Sequence, residues 1–286
     1  MSSVSAFQPI TPDTVTRALC THTVGRSLHV LDETPSTNTA AFALAQDGAP
    51  DGTVVVADTQ TSGKGRLGRR WHSPPGKNLY CSIVLRRAPA PDLVSTWLSW
   101  IPLLSAVAVS RAVHVTSSLR PSLKWPNDIL IEPRKVGGLL CESSGAGTAH
   151  GFVIVGIGLN VNMWRDMFPP DLRDVATSLA AEAGRPFDRA ALLATVLSEL
   201  ELRYDAFLSG ATSELRREYA LRCATIGQRV RVDMANGTSR EGLARGVDED
   251  GSLQVLVEPL QGQSTRDSVV AIRAGDVVHL RRHVNR

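Results

Sequence analysis

Strand-length and helix-length segments are mixed in this chain without strict alternation, and that ordering constrains its fold most. Leu28-His29-Val30-Leu31 reads as a strand, and Thr37 to Gln46 as a helix with Ser36 or Thr37 as its cap and Gly48 just past its end. The β-branched run Thr53 to Ala57 reads as a buried strand, and Asn78 to Leu85 as another. Leu123-Lys124-Trp125 and Ile129-Leu130-Ile131 flank the turn sequence Pro126-Asn127-Asp128. Val136 to Ser143 and Phe152 to Leu159 are two more strands, separated by the small-residue linker Ser144-Gly145-Ala146-Gly147. Phe187 to Leu208 is a helix capped by Asp188, and Ala211 to Arg222 a second. This pattern predicts an α+β fold with a mixed or largely antiparallel sheet rather than a doubly wound one.

Beyond Cys223 the texture changes. Gln228–Met234, Glu241–Val247, Leu253–Glu258, Ser268–Ile272 and Val277–Arg281 are short strands, with hairpin signals at Asn236-Gly237 and Asp250-Gly251. Short strands at this spacing predict a small β-barrel. The expected organisation is an irregular arm or short leading helix over residues 1–26, a main domain over 27–225 and a small β domain over 226–286.

At 286 residues, with 43% apolar and 21% charged, the chain can bury a sizeable core. A net charge of +3 does not indicate a general affinity for nucleic acid. The most apolar stretch, Trp97 to Val115, is interrupted by Ser99, Pro102, Ser105, Ser110, Arg111 and His114. It therefore reads as a buried core helix rather than a membrane span, with Pro102 accommodated in its first turn. Cys20, Cys81, Cys141 and Cys223 show no zinc or redox spacing. Free thiols, and no secretory pattern within Met1 to Thr16, give a cytoplasmic expectation.

The positive charge is local. Seven basic residues and no acidic one lie between Thr59 and Pro91, densest in Gly63-Lys64-Gly65-Arg66-Leu67-Gly68-Arg69-Arg70-Trp71. Glycine lets backbone N–H groups approach a ligand, and Arg grips oxyanions with two parallel bonds. The segment suits a phosphate or carboxylate. It is neither a Walker loop nor a dinucleotide fingerprint, and a solvated basic hairpin is the plain alternative. Four other constellations carry similar alternatives. Lys124-Trp125-Pro126-Asn127-Asp128 is phosphate and Mg²⁺ chemistry or an ordinary turn. Lys135-Val136-Gly137-Gly138-Leu139-Leu140-Cys141-Glu142 aims an ammonium at a ligand or snorkels beside a bulge. Gly156-Ile157-Gly158-Leu159-Asn160-Val161 bares a strand for a ligand or for close packing. Ser36-Thr37-Asn38 binds something or caps a helix.

In order and company, the Ser-Thr-Asn motif, Gln60 with the glycine–basic segment, Lys-Trp-Pro-Asn-Asp, Lys-Val-Gly-Gly-Leu-Leu and Gly-Ile-Gly-Leu-Asn-Val resemble the biotin–protein ligases. The match spans about residues 30 to 165, and the tail from Ile226 resembles their small SH3-like C-terminal barrel. The resemblance implies that biotin and ATP are joined as biotinyl-5′-AMP with Mg²⁺ on the phosphates. Biotin then passes to a lysine of a biotin carboxyl carrier domain. By the same resemblance, Ser36, Thr37, Asn38 and Gln60 hold the ureido end of biotin. Gly63, Lys64, Gly65 and Arg66 cover its carboxylate, with backbone N–H groups at Lys64 and Gly65 as donors. Arg66 and Lys135 are the catalytic cations, and Gly156 and Gly158 floor the pocket. Arg69, Trp71, Lys124, Asn127 and Asn160 face nucleotide or phosphate, with Trp71 as a wall of the closed site, and Asp128 is a metal ligand. The glycines predict a loop that is mobile until an anionic ligand arrives.

Two departures stand out. Lys64 replaces the family's more usual Arg and loses its planar fork. The leading residues, about 30 of them, are too few for the DNA-reading domain of repressor-type members, so no nucleic-acid partner is expected. An exposed sheet edge is compatible with either a monomer or a homodimer. A lipoate or octanoate ligase is the rival enzyme and a DNA-binding repressor the rival of another class; the polar Ser-Thr-Asn and Gln60 set argues against the first, and the modest charge against the second.

Overall fold

The computed structural model describes residues 9–87, 94–146, 148, 150–234, 237–257, 268–273 and 275–280. Of the expected elements, Asn236 in one turn, Glu258 and Arg281 at two strand ends, and Gly147 in the linker lie outside these residues.

Strands β1 (Leu28–Thr34), β2 (Val54–Gln60), β3 (Leu79–Leu85), β4 (Ser122–Lys124), β5 (Asp128–Ile131), β6 (Arg134–Ser144) and β7 (Phe152–Leu159) form one sheet in the order β1-β2-β3-β7-β6-β5-β4. The β1–β2 pair is parallel and the other neighbours are antiparallel. This is the mixed α+β architecture the strand order predicts.

Alternation along the strands divides the sheet into two faces. Leu79, Cys81, Ile83 and Leu85 of β3, with Val153, Val155, Ile157 and Leu159 of β7, point into the main core. Helices α3 (Val94–Ser117) and α5 (Arg189–Leu208) supply the rest of that core, joined by Val15 of α1 (Pro12–Ala18). Helix α3 is long and apolar enough to cross a bilayer by composition, but Trp97, Trp100, Leu104 and Val107 are buried in this core. Pro102 lies inside α3, not in its first turn. Burial of the helix's long apolar face outweighs the backbone bond that proline removes.

The opposite face is only half covered. Helix α2 (Thr37–Gln46) packs Ala41 and Ala45 on Val55, Val84, Phe152 and Ile154, and Phe42 meets Phe152 edge-on at 5.1 Å. Among the described residues, no apolar helix face covers the next rows, which carry Ser82, Gly156 and Leu140, then Tyr80, Gly158 and Gly138. The floor of the site is this uncovered half.

Short helices α4 (Leu179–Ala183) and α6 (Thr212–Ala220) complete the main unit. A second, antiparallel sheet runs β11-β10-β9-β8-β12, built from β8 (Arg229–Asp233), β9 (Ser239–Val247), β10 (Leu253–Val257), β11 (Ser268–Ile272) and β12 (Asp276–His279). Gly251 takes φ +81° at the β9–β10 turn, as Asp250-Gly251 predicts. Its β9–β10 turn is fastened to α3 by Trp100 Nε1, which donates to Glu249 O at 2.7 Å. Its last strand meets the segment ahead of β8, where Thr225 Oγ1 lies 3.1 Å from His279 Nε2 and accepts from Trp125 N at 3.1 Å.

Candidate active site

Two adjoining cavities open on the uncovered face. The inner one is lined by Ser36, Thr37, Asn38, Gln60, Gly156 and Gly158, and also by Lys64, Gly65, Arg66, Trp71, Asn127 and Lys135. Its polar end begins at the start of α2. Ser36 is the N-cap by position, yet its hydroxyl makes no cap bond. Gln60 Oε1 takes that role, accepting from Thr37 N at 2.9 Å and lying 3.2 Å from Thr37 Oγ1. Gln60 Nε2 donates to Ser73 Oγ at 2.9 Å.

Ser82 connects this cap to Asn38. Its Oγ lies 2.8 Å from Thr37 Oγ1 and 2.7 Å from Asn38 Oδ1. Asn38 Nδ2 in turn donates to Leu140 O at 3.1 Å and to Glu142 Oε2 at 2.6 Å. Thr37 and Ser82 bring two hydroxyl hydrogens to three oxygen contacts, so the chain can reverse direction to meet a ligand donor or acceptor. Ser82 is not singled out by the motifs, and Glu142 enters them only as the last residue of the run over residues 135–142, with no role given. The signal for Ser82 is a small polar residue on the non-core face of an otherwise apolar strand.

The glycine floor is under close contact. A Cβ on Gly156 would overlap Asn38 Oδ1, and one on Gly158 would lie 2.5 Å from Trp71 Cε2. Trp71 therefore lies against Gly158 as a cover, with its buried Nε1 lacking a hydrogen-bond partner. Lys135 Nζ sits 5.4 Å from the centre of the Trp71 ring.

The basic segment is folded as a hairpin. Gly65 N donates to Arg69 O at 2.7 Å and Trp71 N to Gly63 O at 2.9 Å, around a Lys64–Arg70 bridge. This pairing uses the Gly65 N–H internally and turns the Lys64 N–H away from Arg70. Leu67 and Gly68 take φ +55° and +73° at the tip. Gly63 is packed, since a Cβ there would lie 2.7 Å from Trp71 O. Arg66 Nη1 donates to Asn127 Oδ1 at 3.0 Å and Nη2 to Gly275 O at 3.1 Å, while Arg69 forms an ion pair with Asp276. Burial pulls the Arg66 pKa below its ordinary value, opposed by Asp276 and Asp128.

The outer cavity, about 810 Å³, shares Gly65, Arg66, Trp71, Asn127 and Lys135 with the inner one. It adds Arg69, Lys124, Asp128 and Asn160 from the predicted residues. Lys135 Nζ pairs with Asp128 Oδ1 at 2.5 Å. Asn160 is buried and donates Nδ2 to Thr177 O at 2.9 Å, so in this structure its amide holds the neighbouring chain. Phe168, Leu172 and Val175 form an apolar wall, and Asp276, Val278 and His279 of β12 close the far side; the motifs give no sign of either group. Burial pushes the Cys81 and Cys141 thiols up to about 12, so neither is poised as a thiolate.

Among the described residues, no group of three or more His, Cys, Asp or Glu is disposed to hold a metal. The carboxylates lining the cleft are Asp128 and Asp276, each ion-paired. This donor set fits Mg²⁺ arriving on nucleotide phosphates, which needs only one or two protein carboxylates. It does not fit an ion held by protein alone.

The cavities thus join a polar slot over bare strand to a cationic cleft with one apolar wall. Two family descriptions match the chain: the biotin/lipoate A/B protein ligase family over residues 30–160, and the biotin protein ligase C-terminal domain over residues 225–280. The chain is 37% identical over 260 residues to the biotin–[acetyl-CoA-carboxylase] ligase of Mycobacterium tuberculosis, covering 90% of each. It is also 37% identical over 244 residues to the bifunctional ligase/repressor BirA of Bacillus subtilis, covering 85% of this chain and 73% of that protein. The structure of the Aquifex aeolicus biotin protein ligase in complex with biotin and ATP superposes with a TM-score of 0.74 at 29% identity, covering 89% of this chain and 100% of that one. With both sheets matched and a full-length likeness at this identity, the chain belongs to the biotin protein ligase family.

Proposed function

We propose that this chain activates biotin with ATP and transfers it to a lysine of a biotin carboxyl carrier domain. The observation that carries this reading is the junction of the two cavities. Arg66, Lys135 and Asn127 line both, so a carboxylate reaching out of the inner slot and a phosphate lying in the outer cleft would meet among the same cations.

The bicyclic ureido ring suits the inner slot, whose hydroxyls and amides offer donors and acceptors over a glycine floor. A simple aliphatic acid has no use for this polar end. The hydrophobic wall of the outer cleft suits a base, and its cations suit phosphates. In the first step a biotin carboxylate oxygen attacks the α-phosphorus of ATP. The bond to the bridging oxygen breaks, and pyrophosphate leaves with the electron pair. Arg66 and Lys135 stabilise the charge developing on the equatorial oxygens. Asp128 would hold Mg²⁺ arriving with the nucleotide, and the ion would draw charge from the phosphates. Lys135 must then exchange Asp128 for phosphate.

In the second step an acceptor lysine amine attacks the acyl carbonyl, the acyl–phosphate bond breaks, and AMP leaves as the amine gives up a proton. The hairpin, with Trp71 behind it, keeps water from the mixed anhydride between the steps. Lys64 keeps positive charge at the rim without the two-pronged grip of Arg.

The test is mass spectrometry of the purified protein with biotin, Mg-ATP and a carrier domain. The expected products are biotinyl-5′-AMP and one modified carrier lysine. Preferential use of lipoate or octanoate in competition would overturn the choice of acid.

A further inference from the structure

Only four of the 31 Lys and Arg residues in the chain are lysines: Lys64, Lys77, Lys124 and Lys135. The difference matters beside an acyl adenylate. A guanidinium stays protonated and does not attack an acyl group, whereas a lysine amine that has shed its proton is a nucleophile. Three of the four lysines border the site. Lys124 lines only the outer cavity, Lys64 only the inner one and Lys135 both, while Lys77 lines neither.

The acyl carbon belongs to the acid in the inner slot, so the amines bordering that slot are the ones it meets. Lys135 is occupied. Its Nζ pairs with Asp128 Oδ1 at 2.5 Å beside the Trp71 ring, and phosphate takes the carboxylate's place on loading. Lys64 is placed differently. The hairpin fixes its backbone: Trp71 N donates to Gly63 O and Gly65 N to Arg69 O on either side of the Lys64–Arg70 bridge. Arg66 is bonded to Asn127 and Gly275, Arg69 is paired with Asp276, and Arg70 donates to Thr61 O at 3.0 Å. Among the described residues, Lys64 is thus the one hairpin cation whose side chain has no hydrogen bond or ion pair. Its flexible four-carbon stem, rooted on a fixed rim, lets the amine swing over the slot.

Resting on the ligase reading above, we propose that Lys64 is an internal acceptor: when no carrier domain is present, the chain transfers biotin from biotinyl-5′-AMP to its own Lys64. The unprotonated Nζ attacks the acyl carbonyl. The nitrogen–carbon bond forms as the bond from that carbon to the phosphate oxygen breaks, AMP leaves with the electron pair, and the nitrogen's extra proton passes to water. The product is an uncharged amide. The rim loses a cation, and a biotinyl group stays tethered over the slot. Each copy is modified once and then stands outside the catalytic cycle. A carrier lysine, when present, consumes the adenylate first, so self-transfer acts as a brake set by shortage of acceptor.

The experiment incubates the full chain with biotin and Mg-ATP, without carrier, and reads the intact mass, the modified peptide and the adenylate in the same samples. The expected result is a single biotinyl group on Lys64, formed at a rate independent of protein concentration and unaffected by added free lysine. Normalised to adenylate, the label should form about tenfold faster at pH 8 than at pH 7, following the fraction of free amine. Transfer to carrier, assayed afterwards, should fall in proportion to the label. Lys64→Arg should lower the label per adenylate by about tenfold or more, because a guanidinium does not take the acyl group. Adenylate that forms without label on Lys64, or with label on Lys77, Lys124, Lys135 or the amino terminus in its place, would overturn the internal acceptor and leave the ligase reading standing. A rate that grows with protein concentration would do the same. If no adenylate forms from biotin and ATP, both fall.

Discussion

Lys135 and Asp128 form a 2.5 Å ion pair where β5 and β6 run side by side at the junction of the two cavities. The ammonium that would receive the reacting phosphate is thus parked on the carboxylate that would receive the metal. Loading the site separates them, and each partner then finds an opposite charge on the nucleotide.

Lys135→Ala should lower biotin-dependent pyrophosphate release about 100-fold or more, the scale of losing one preorganised charge at a transition state. Asp128→Asn should instead shift the Mg²⁺ requirement upward, with much of the maximal rate recovered at high Mg²⁺. Pyrophosphate release across a Mg²⁺ titration distinguishes the two. Equal behaviour of both variants at every Mg²⁺ concentration would contradict the exchange.

Arg66→Gly removes the bonds to Asn127 Oδ1 and Gly275 O that latch the hairpin tip. Adenylate should then escape into solution. Ultrafiltration followed by mass spectrometry should find biotinyl-5′-AMP in the filtrate and biotin on bystander lysines. Complete retention of the intermediate would overturn the latch.

Asp276→Asn cuts the ion pair from Arg69, whose side chain is 67% exposed. Exposed pairs contribute little to folding, so the midpoint of thermal unfolding should move by no more than about 2 °C. Adenylate retention should fall because the hairpin loses its second tie. A large loss of stability with normal retention would show that the pair supports the fold and not the hairpin.

Gly156→Ala places a methyl group against Asn38 Oδ1. The Asn38–Ser82–Thr37 chain must open, at a cost of about 2–3 kcal/mol, so biotin affinity should fall about 30- to 150-fold. Isothermal titration reads this directly, and an affinity unchanged from wild type would remove Gly156 from the floor.

Glu201 supplies a pH test unconnected with the chemistry. Its carboxylate accepts from His22 N at 2.7 Å, Thr23 N at 2.7 Å and Val24 N at 2.9 Å. Burial pulls its pKa up, but these three bonds outweigh burial and hold it below the ordinary value. A depressed carboxylate contributes stability above its unfolded pKa, about 4.3, and loses it as pH falls through the folded value. Glu201→Gln should therefore be less stable than wild type at pH 7 by about 2 kcal/mol. That gap should narrow on acidification below about pH 4, as chemical denaturation would show.

Legibility in the sequence followed how locally each feature is determined. Asp188 as a cap, the Asp250-Gly251 turn and the mixed order of strands depend on neighbours along the chain. The inner slot was legible because its residues sit in short motifs. The outer cleft was only half legible. Lys124 and Asp128 share a motif, but His279 and Asp276 reach it from one strand far along the chain, so no spacing reveals them. Pro102 inside α3 resists local reading because burial of the whole helix overrides one residue's preference. The internal use of the Gly65 N–H depends on hairpin register, which glycine content leaves open.

Gln60, not Ser36, secures the first amide of α2. A residue at the end of one strand thereby fastens the opening turn of a helix and borders the slot at once. Hydrogen–deuterium exchange at the Thr37 amide is then a built-in gauge of vitamin occupancy, slow when the slot is filled and faster when it stands open.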